Sequence, residues 1–245
     1  MPAANTRNFE VRAYEIDLHR RATLPTLINY MQEAAWHNAA ARGGSVYLLH
    51  EHGVSWVLNR LRLEMFRYPR HLEQITVETW PSGRERFFVY RDYRLLDATG
   101  ELIGQATSTW IVFDLAARKL VAVPEFLHDL VDLAVPANRE PLPRSGGKIR
   151  FSEPPAYTQA TRVRYHDLDI NRHLNQAYYC QWAIEALPQQ LIEEKTLKEI
   201  DILFKAECTL GDAITSQAYS PETGVFFHQL LRGDTPLTLA RTVWT

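Results

Sequence analysis

The sequence of 245 residues lacks the features that would place a protein in a membrane or in the secretory pathway. Its only cysteines, Cys180 and Cys208, are too few for a disulfide framework and favour a reducing compartment. Its apolar runs, such as residues 110–113, have the length of a strand and are too short to span a bilayer. The N-terminus lacks the apolar core of a signal peptide. We therefore expect a cytoplasmic protein, or a protein of an organelle stroma whose transit peptide has been removed.

A strong charge of either sign is also missing. The 27 lysine and arginine residues nearly balance the 29 aspartate and glutamate residues, and no long basic run suggests a nucleic-acid partner. No Cys/His cluster has the spacing of a metal site, and His50 and His52 are predicted to lie at the solvated end of a short helix. We expect no metal and no cofactor. The chain does contain six Trp, eleven Tyr and ten Phe, which is ample material for the core of a globular protein.

The densest group of polar side chains lies in residues 167–175, directly before a helical apolar pattern. It contains two carboxylates, one imidazole and two carboxamides. If this segment is extended, Asp169, Asn171 and His173 alternate and project to one side, which predicts a hydrolytic site. The alternative is a turn whose Asp and Asn side chains cap the helix. A cap uses only one or two polar side chains, so the full set favours the site.

The two halves of the chain resemble each other. Residues 11–17 align with 163–169 at an offset of 152, and residues 75–80 align with 214–219 at an offset of 139. After the first of these segments, each half has a helical apolar pattern; Gly43 ends it in one half and Pro188 in the other. The shorter second offset indicates that the C-terminal copy has lost residues between helix and sheet.

Each half is therefore predicted to consist of a leading strand, a long helix and an antiparallel sheet, an α+β arrangement. Turns are predicted at 81–83 and 97–100. A stretch rich in Pro and Gly at 136–157 predicts a linker between domains 1–135 and 158–245. The predicted strands are 56–67, 74–80, 87–96 and 105–113 in the first half, and 199–207, 213–219, 225–232 and 237–244 in the second.

Residues 167–175, the aromatic-rich helix after them and the segment Phe204–Cys208 ahead of Gly211 together resemble the acyl-ACP thioesterase family. The resemblance implies a tandem (double) hotdog fold, in which each long helix is wrapped by an antiparallel β-sheet. It also implies hydrolysis of fatty acyl-ACP, releasing free fatty acid and holo-ACP. The family pattern has a second Asn where this sequence has Gln176. Carried over by position, the catalytic residues are Asp169, Asn171, His173 and Glu207.

The internal duplication predicts different roles for the two domains. The N-terminal positions that match Asn171, His173 and Glu207 hold His19, Arg21 and Tyr68, and only Asp17 matches its counterpart. The N-terminal domain is therefore predicted to be non-catalytic, with its helix and sheet forming the acyl-chain pocket. The substrate-binding candidates are Met31, Ala35, Trp36, Trp56 and Leu58, together with Leu61 and Trp110.

Thioester hydrolysis needs an activated water and a stabilised oxyanion. Either Glu207 or Asp169 could take the proton of the water, and Asn171 could hold that water through its amide. His173 could orient a carboxylate, donate to the oxyanion or carry a proton to the leaving thiol. A nucleophilic Cys208 is the alternative, although a cysteine at the end of a strand is more typically a small core residue.

The expected partner is an acidic acyl carrier protein, which a local basic surface would attract. Alternative functions are those of an acyl-CoA thioesterase, a 3-hydroxyacyl thioester dehydratase or a non-catalytic acyl-binding protein. The sequence leaves a monomer and a homodimer equally open. The candidate basic residues form two groups, Arg60, Arg62, Arg67, Arg70, Arg84 and Arg86 in one and Arg162, Arg164 and Arg172 in the other.

Overall fold

The computed structural model describes residues 5–132, 140–144, 147–149, 151 and 154–245. The chain divides into two compact units, Met1–Ala22 with Leu27–Arg144 and Thr23–Thr26 with Ser145–Thr245. Part of the predicted linker, 136–157, lies outside the described residues. Within its described part, the backbone N–H of Leu142 donates to Asp92 and the Arg144 guanidinium donates to the carbonyl of Ser82. This part of the predicted linker therefore packs on the first unit.

The N-terminal unit contains an antiparallel sheet with strand order β1-β3-β4-β5-β2, and the short β6 pairs with β5. Residues 75–79 of this sheet alternate between buried and partly exposed positions, as expected for a sheet with one face on a core. The strands are β1 (Asn5–Glu10), β2 (Val54–Met65), β3 (Gln74–Arg84), β4 (Val89–Asp97), β5 (Leu102–Asp114) and β6 (Lys119–Val121), and the helices are α1 (Leu24–Ala40, within this unit from Leu27), α2 (Val46–Glu51) and α3 (His128–Asp132).

The C-terminal unit repeats this plan with strand order β8-β11-β10-β9-β7, again antiparallel throughout. Its strands are β7 (Tyr157–Arg162), β8 (Leu197–Phe204), β9 (Ala213–Glu222), β10 (Val225–Arg232) and β11 (Thr235–Trp244), and its helices are α4 (Gln176–Glu185) and α5 (Gln189–Glu194). The predicted α+β fold, one long helix and one antiparallel sheet in each half, is confirmed.

The long helices begin and end where their sequences predict. The side chain of Asn175 accepts a hydrogen bond from the N–H of Ala177 and so caps α4, which ends ahead of Pro188. The apolar face of α4 packs on β9 and β10, and the Ser216 hydroxyl donates to the carbonyl of Trp182 at 2.7 Å. Helix α1 ends ahead of Gly43, which has the positive φ of 78° that glycine tolerates.

The duplication is confirmed by hydrogen bonds that recur at both offsets. In the N-terminal unit the N–H of Ala22 donates to the carbonyl of Pro69 at 2.8 Å. In the C-terminal unit the N–H of Leu174 donates to the carbonyl of Cys208 at 2.9 Å. These donors are 152 residues apart and these acceptors 139 residues apart, as the sequence alignment requires. The two units are therefore copies of one local structure.

Two sequence predictions about the strands are wrong. Strand β3 continues through 81–83, where a turn was predicted, because a bulge between Pro81 and Gly83 lets the strand pass a residue that has no N–H to donate. Strand β8 ends at Phe204, so Glu207 and Cys208 lie beyond the strand and not at its end. The turn at 97–100 is confirmed by the bond from the N–H of Gly100 to the carbonyl of Asp97.

An apolar cluster lies at one end of the N-terminal sheet. Trp56 and Trp110 are partly buried and pack against this cluster. The indole N–H of Trp56 donates to the carbonyl of Gly44 at 3.2 Å, which fixes that ring. The buried members of the cluster are Leu49, Val54, Val89, Val112, Val123, Leu127, Leu130 and Val131.

None of the helices in the described part of the chain is long and apolar enough to cross a membrane.

His228 on β10 makes the stability of the C-terminal unit depend on pH. Its side chain is fully buried, its Nε2 lies 2.8 Å from the Thr242 hydroxyl, and burial lowers its pKa from 6.5 to about 4. The unfolded chain therefore binds a proton more readily than the folded chain between these two pH values. Folding stability is retained above pH 6.5 and is lost as the pH falls towards 4.

We expect His228→Gln, which has no titrating group, to lose less stability than the natural chain on acidification. Each protonation that only the unfolded state accepts lowers the free energy of unfolding by up to about 1.4 kcal/mol per pH unit. Urea unfolding at a series of pH values from neutral to mildly acidic measures this difference, with His166→Gln, a substitution of an exposed histidine, as the control. Parallel pH curves for His228→Gln and the natural chain would contradict the assignment.

Candidate active site

Residues 168–174 form a closed turn ahead of α4. Leu168 and Leu174 form a β-bridge across it, and the N–H of Asp169 donates to the carbonyl of His173 at 2.8 Å. The N–H of Arg172 donates back to the carbonyl of Asp169, and Arg172 has a positive φ of 64°. The prediction of an extended segment, with alternate side chains on one side, is therefore wrong.

The Asp169 side chain closes this turn. Its Oδ1 accepts hydrogen bonds from the N–H of Asn171 at 2.8 Å and from the N–H of His173 at 3.1 Å. An aspartate that accepts backbone N–H groups two and four residues ahead stabilises a turn over an extended chain. Residues 167–175 contain the Asp and Asn side chains that form such turns. The alternation of their polar positions nevertheless favoured an extended segment.

Two more of the polar residues in this segment have local structural partners. Asp167 is buried and its Oδ2 accepts from the N–H of Arg164 at 2.7 Å, while Asn175 caps α4. The alternative of a turn and a cap is thus correct for Asp169, which closes the turn, and for Asn175, which caps α4, while Asp167 bonds to the backbone before it. It does not account for Asn171, which is exposed, or for His173, which is partly exposed.

His173 and Glu207 face each other. Their Nε2 and Oε2 atoms are 3.4 Å apart, and the two side chains are 35% and 42% exposed. The bond from Leu174 to the carbonyl of Cys208 ties the two segments together next to this pair. An imidazole and a carboxylate in contact, both reachable by water, can share and transfer a proton. Of the four predicted catalytic residues, Asp169, Asn171 and His173 lie on one turn. The fourth, Glu207, contacts His173.

Cys208 lies beside this pair but points away from solvent. Its side chain is fully buried, and burial raises the pKa of its thiol. A thiol held in its neutral form is a poor nucleophile. Cys180 is also fully buried, as predicted for a core residue, and burial raises its pKa as well.

The sequence reading missed Tyr179 on α4. Its hydroxyl accepts from the N–H of Cys208 at 2.9 Å and donates to the carbonyl of Ala206 at 3.4 Å. Burial raises the pKa of Tyr179, so that its hydroxyl stays protonated. The sequence showed only an aromatic-rich helix, in which nothing distinguishes Tyr179 from the adjacent Tyr178.

The N-terminal unit retains the turn and lacks the imidazole–carboxylate pair. Asp17 Oδ1 accepts from the N–H groups of His19 and Arg21, both at 2.9 Å, as Asp169 does in the other copy. The Arg21 guanidinium pairs with Asp17 at 3.0 Å and lies 5.9 Å from the centre of the Tyr68 ring. A guanidinium and a phenol ring thus take the places of His173 and Glu207.

The predicted acyl-chain residues lie on α1, β2 and β5 of the N-terminal unit and are buried to different degrees. Met31 and Ala35 are buried on α1, whereas Trp36, Trp56 and Leu58 are partly buried. Their role in binding an acyl chain stays a prediction.

The described residues contain no group of three His, Cys, Asp or Glu side chains placed to hold a metal ion. His50 and His52 are exposed at the end of α2, as predicted.

Two family models match the chain. One is described as the acyl-ACP thioesterase N-terminal domain and matches residues 2–131. The other is described as the acyl-ACP thioesterase C-terminal domain and matches residues 154–245. Together they cover both copies of the duplicated unit.

Curated relatives from plants are similar over most of the chain. Oleoyl-acyl carrier protein thioesterase 2, chloroplastic, of Arabidopsis thaliana is 31% identical over 222 residues, which is 85% of this chain and 60% of the relative. The corresponding protein of Coriandrum sativum is 31% identical over 230 residues, covering 87% of this chain and 62% of the relative. The chain therefore spans about 60% of the length of these relatives.

Solved structures share the fold over nearly the whole chain. A putative oleoyl thioesterase from Lactobacillus plantarum is 26% identical with a TM-score of 0.89, covering 98% of this chain and 95% of the other. The 12:0-ACP thioesterase from Umbellularia californica has the same TM-score at 24% identity, covering 98% and 96%, and supports the double hotdog fold. With both halves matched by the family models, the chain belongs to the acyl-ACP thioesterase family.

Proposed function

We propose that the protein hydrolyses the thioester of fatty acyl-ACP and releases free fatty acid and holo-ACP. The observation that carries the proposal is the contact of His173 with Glu207, whose Nε2 and Oε2 atoms lie 3.4 Å apart in the part of the chain that the C-terminal family model matches. The second copy, which has the same turn without this pair, supports the assignment of chemistry to the C-terminal unit.

Glu207 is the better placed of the two candidate bases. Its carboxylate faces His173 and is partly exposed, so a water molecule can reach it. Asp169 instead uses Oδ1 to accept two backbone N–H groups, which fixes that carboxylate in the turn. We therefore assign proton abstraction from water to Glu207 and closure of the turn to Asp169.

The reaction follows from these positions. The water oxygen attacks the thioester carbonyl carbon as its proton passes to Glu207, and the carbonyl oxygen becomes an oxyanion. Asn171 offers an exposed carboxamide that can donate to the water or to the oxyanion. When the carbon–sulfur bond breaks, the proton passes through His173 to the thiolate, which gives the free thiol of the carrier and the fatty acid.

We assign binding of the acyl chain to the N-terminal unit. Met31 and Ala35 supply buried apolar surface on α1, and Trp56 and Leu58 supply it on β2. Trp36 lies one position along α1 from Ala35. Apolar lining of this kind is what a fatty acyl chain requires, because its affinity comes from burial of methylene groups.

We assign binding of the carrier protein to the second of the two arginine groups, the one on the C-terminal unit. In the first group, Arg67 pairs with Glu73 and Asp97, and Arg84 pairs with Asp132, so much of its charge is balanced locally. The second group also has one local pair, Arg164 with Asp167 at 3.4 Å, but its three members are exposed on the unit that holds the proposed site, where an acidic partner would be steered towards it. Its members are Arg162, Arg164 and Arg172.

Release of free fatty acid from a panel of acyl-ACPs of medium and long chain, beside the matching acyl-CoAs, tests the substrate class. We expect hydrolysis of acyl-ACP and little of acyl-CoA, because the carrier protein adds a docking surface that CoA lacks. Faster release from CoA would retain the hydrolytic site and replace the partner. Release from neither would overturn the hydrolase assignment, leaving a dehydratase or an acyl-binding protein, which product analysis separates.

Substitution of the two carboxylates tests the choice of base. Glu207→Gln should lower kcat by about 10²- to 10⁴-fold, the usual contribution of a general base. Asp169→Asn keeps an Oδ1 acceptor for the turn and should retain more activity than Glu207→Gln. The matched control is Tyr68→Phe at the position equivalent to Glu207 in the N-terminal copy, which should leave kcat unchanged. The reverse order for Glu207→Gln and Asp169→Asn would make Asp169 the base.

Cys208→Ala tests the alternative nucleophile. Because the thiol is buried and its pKa is raised, the variant should keep most of its turnover and lose about 1 kcal/mol of stability from the smaller side chain. Steady-state kinetics with urea unfolding separates the two effects. Loss of all turnover in a folded variant would assign the nucleophile to Cys208.

A further inference from the structure

The segment that carries Glu207 lies outside the sheet. Strand β8 ends at Phe204, and residues 205–209 continue without regular secondary structure. No strand ladder therefore fixes the backbone on either side of Glu207. Its position depends on individual hydrogen bonds from other elements.

Tyr179 supplies two of those bonds with one hydroxyl. It accepts from the N–H of Cys208 at 2.9 Å and donates to the carbonyl of Ala206 at 3.4 Å, so it holds the residues on both sides of Glu207. The phenol itself is fixed, because Tyr179 is 4% exposed on α4 and its ring packs edge-on against Phe204 at 5.7 Å.

Backbone bonds also hold the segment, since the N–H groups of Lys205 and Ala206 donate to the carbonyl of Leu237 at 2.9 and 3.3 Å. Two more bonds lie closer to Glu207. The carbonyl of Glu207 accepts from the Arg232 guanidinium at 3.3 Å, and the carbonyl of Cys208 accepts from the N–H of Leu174 at 2.9 Å. The backbone is thus held on several sides while the Glu207 side chain reaches His173.

The non-catalytic copy shows which of these bonds belongs to the fold and which goes with Glu207. The bond from Leu174 to Cys208 has its counterpart between Ala22 and Pro69. The tyrosine bond has none, because the position matching Tyr179 is Leu27, which has no hydroxyl. The position matching Cys208 is Pro69, which has no N–H to donate. Donor and acceptor are both missing in the copy that has Tyr68 where Glu207 would be.

We propose that Tyr179 is a positioning residue that holds Glu207 against His173 by bracketing its backbone. The proposal rests on the assignment of Glu207 as the base. Without the hydroxyl, the buried N–H of Cys208 lacks its acceptor and the segment shifts to find another. A displacement of about 1 Å at a reacting group can cost about 10²-fold in rate.

The test is Tyr179→Phe, which keeps the ring and removes only the hydroxyl. We expect kcat to fall by about 10- to 100-fold while KM changes little, because the acyl chain and the carrier are bound elsewhere. The matched control is Tyr178→Phe, the same change one residue earlier on α4, which should leave both constants unchanged. Kinetics are measured well below the Tm of each variant, so that every variant is fully folded.

Combination with Glu207→Gln separates positioning from a purely structural role. If Tyr179 acts through Glu207, adding Tyr179→Phe to Glu207→Gln should lower kcat little further, since two residues that act as a unit are not additive. A full additional loss, or an unchanged kcat in Tyr179→Phe alone, would overturn the proposal. A wild-type kcat in Glu207→Gln alone would instead overturn the assignment of the base.

A measurement on the natural chain covers the case in which Tyr179→Phe does not fold. The backbone N–H of Cys208 donates to the Tyr179 hydroxyl at 2.9 Å, so we expect it to exchange with solvent deuterium far more slowly than an unbonded amide. Exchange of this amide at the rate of an unprotected one would overturn the proposal.

Discussion

In both halves of the chain, one aspartate oxygen accepts two backbone N–H groups and closes the turn ahead of the long helix. Asp169 does this for Asn171 and His173, and Asp17 does it for His19 and Arg21. The turn sets the direction of the fourth residue after the aspartate. In the C-terminal unit that residue is His173, which therefore faces Glu207. Without the closed turn, the imidazole and the carboxylate would have no fixed relation.

Comparison of the two copies distinguishes the contacts that stabilise the fold from the side chains assigned to the chemistry. Both copies share the aspartate turn, an arginine with positive φ after it and the backbone bond from the helix entrance to the segment beyond. They differ in the imidazole, the carboxylate and the tyrosine that holds the carboxylate. The shared parts are backbone contacts that stabilise each unit, while the differing parts are side chains that meet at one place.

Much of the fold could be predicted from the sequence, because local patterns determine it. Helical periodicity with Gly43 and Pro188 as stops located both long helices, and alternation located strand β10 at its observed bounds. The prediction failed at Pro81, where a bulge carries β3 past a residue that usually ends a strand. A bulge depends on the partner strand, which the local sequence does not contain.

The site was only partly predictable for a similar reason. The residue types and their spacing predicted Asp169, Asn171 and His173 as site residues, a role that stays a prediction, but the side-chain bonds of Asp169 decide between an extended chain and a turn. The contact of His173 with Glu207 joins residues far apart in the sequence, so the residues alone gave no distance. Tyr179 was missed because its partners lie more than twenty residues later, beyond the end of β8.

The closed turn of the N-terminal unit has a consequence for how such a chain can evolve. Because a backbone-directed aspartate holds that turn, the side chains around it were free to change without unfolding the unit. Around this turn the N-terminal copy has side chains unlike those of the C-terminal copy, at His19, Arg21, Leu27, Tyr68 and Pro69, while His19 and Arg21 close the turn through their backbone N–H groups, as Asn171 and His173 do. An aspartate retained at this position in a related sequence therefore indicates that the turn is intact. Activity is indicated only by the side chains that face each other beside the turn.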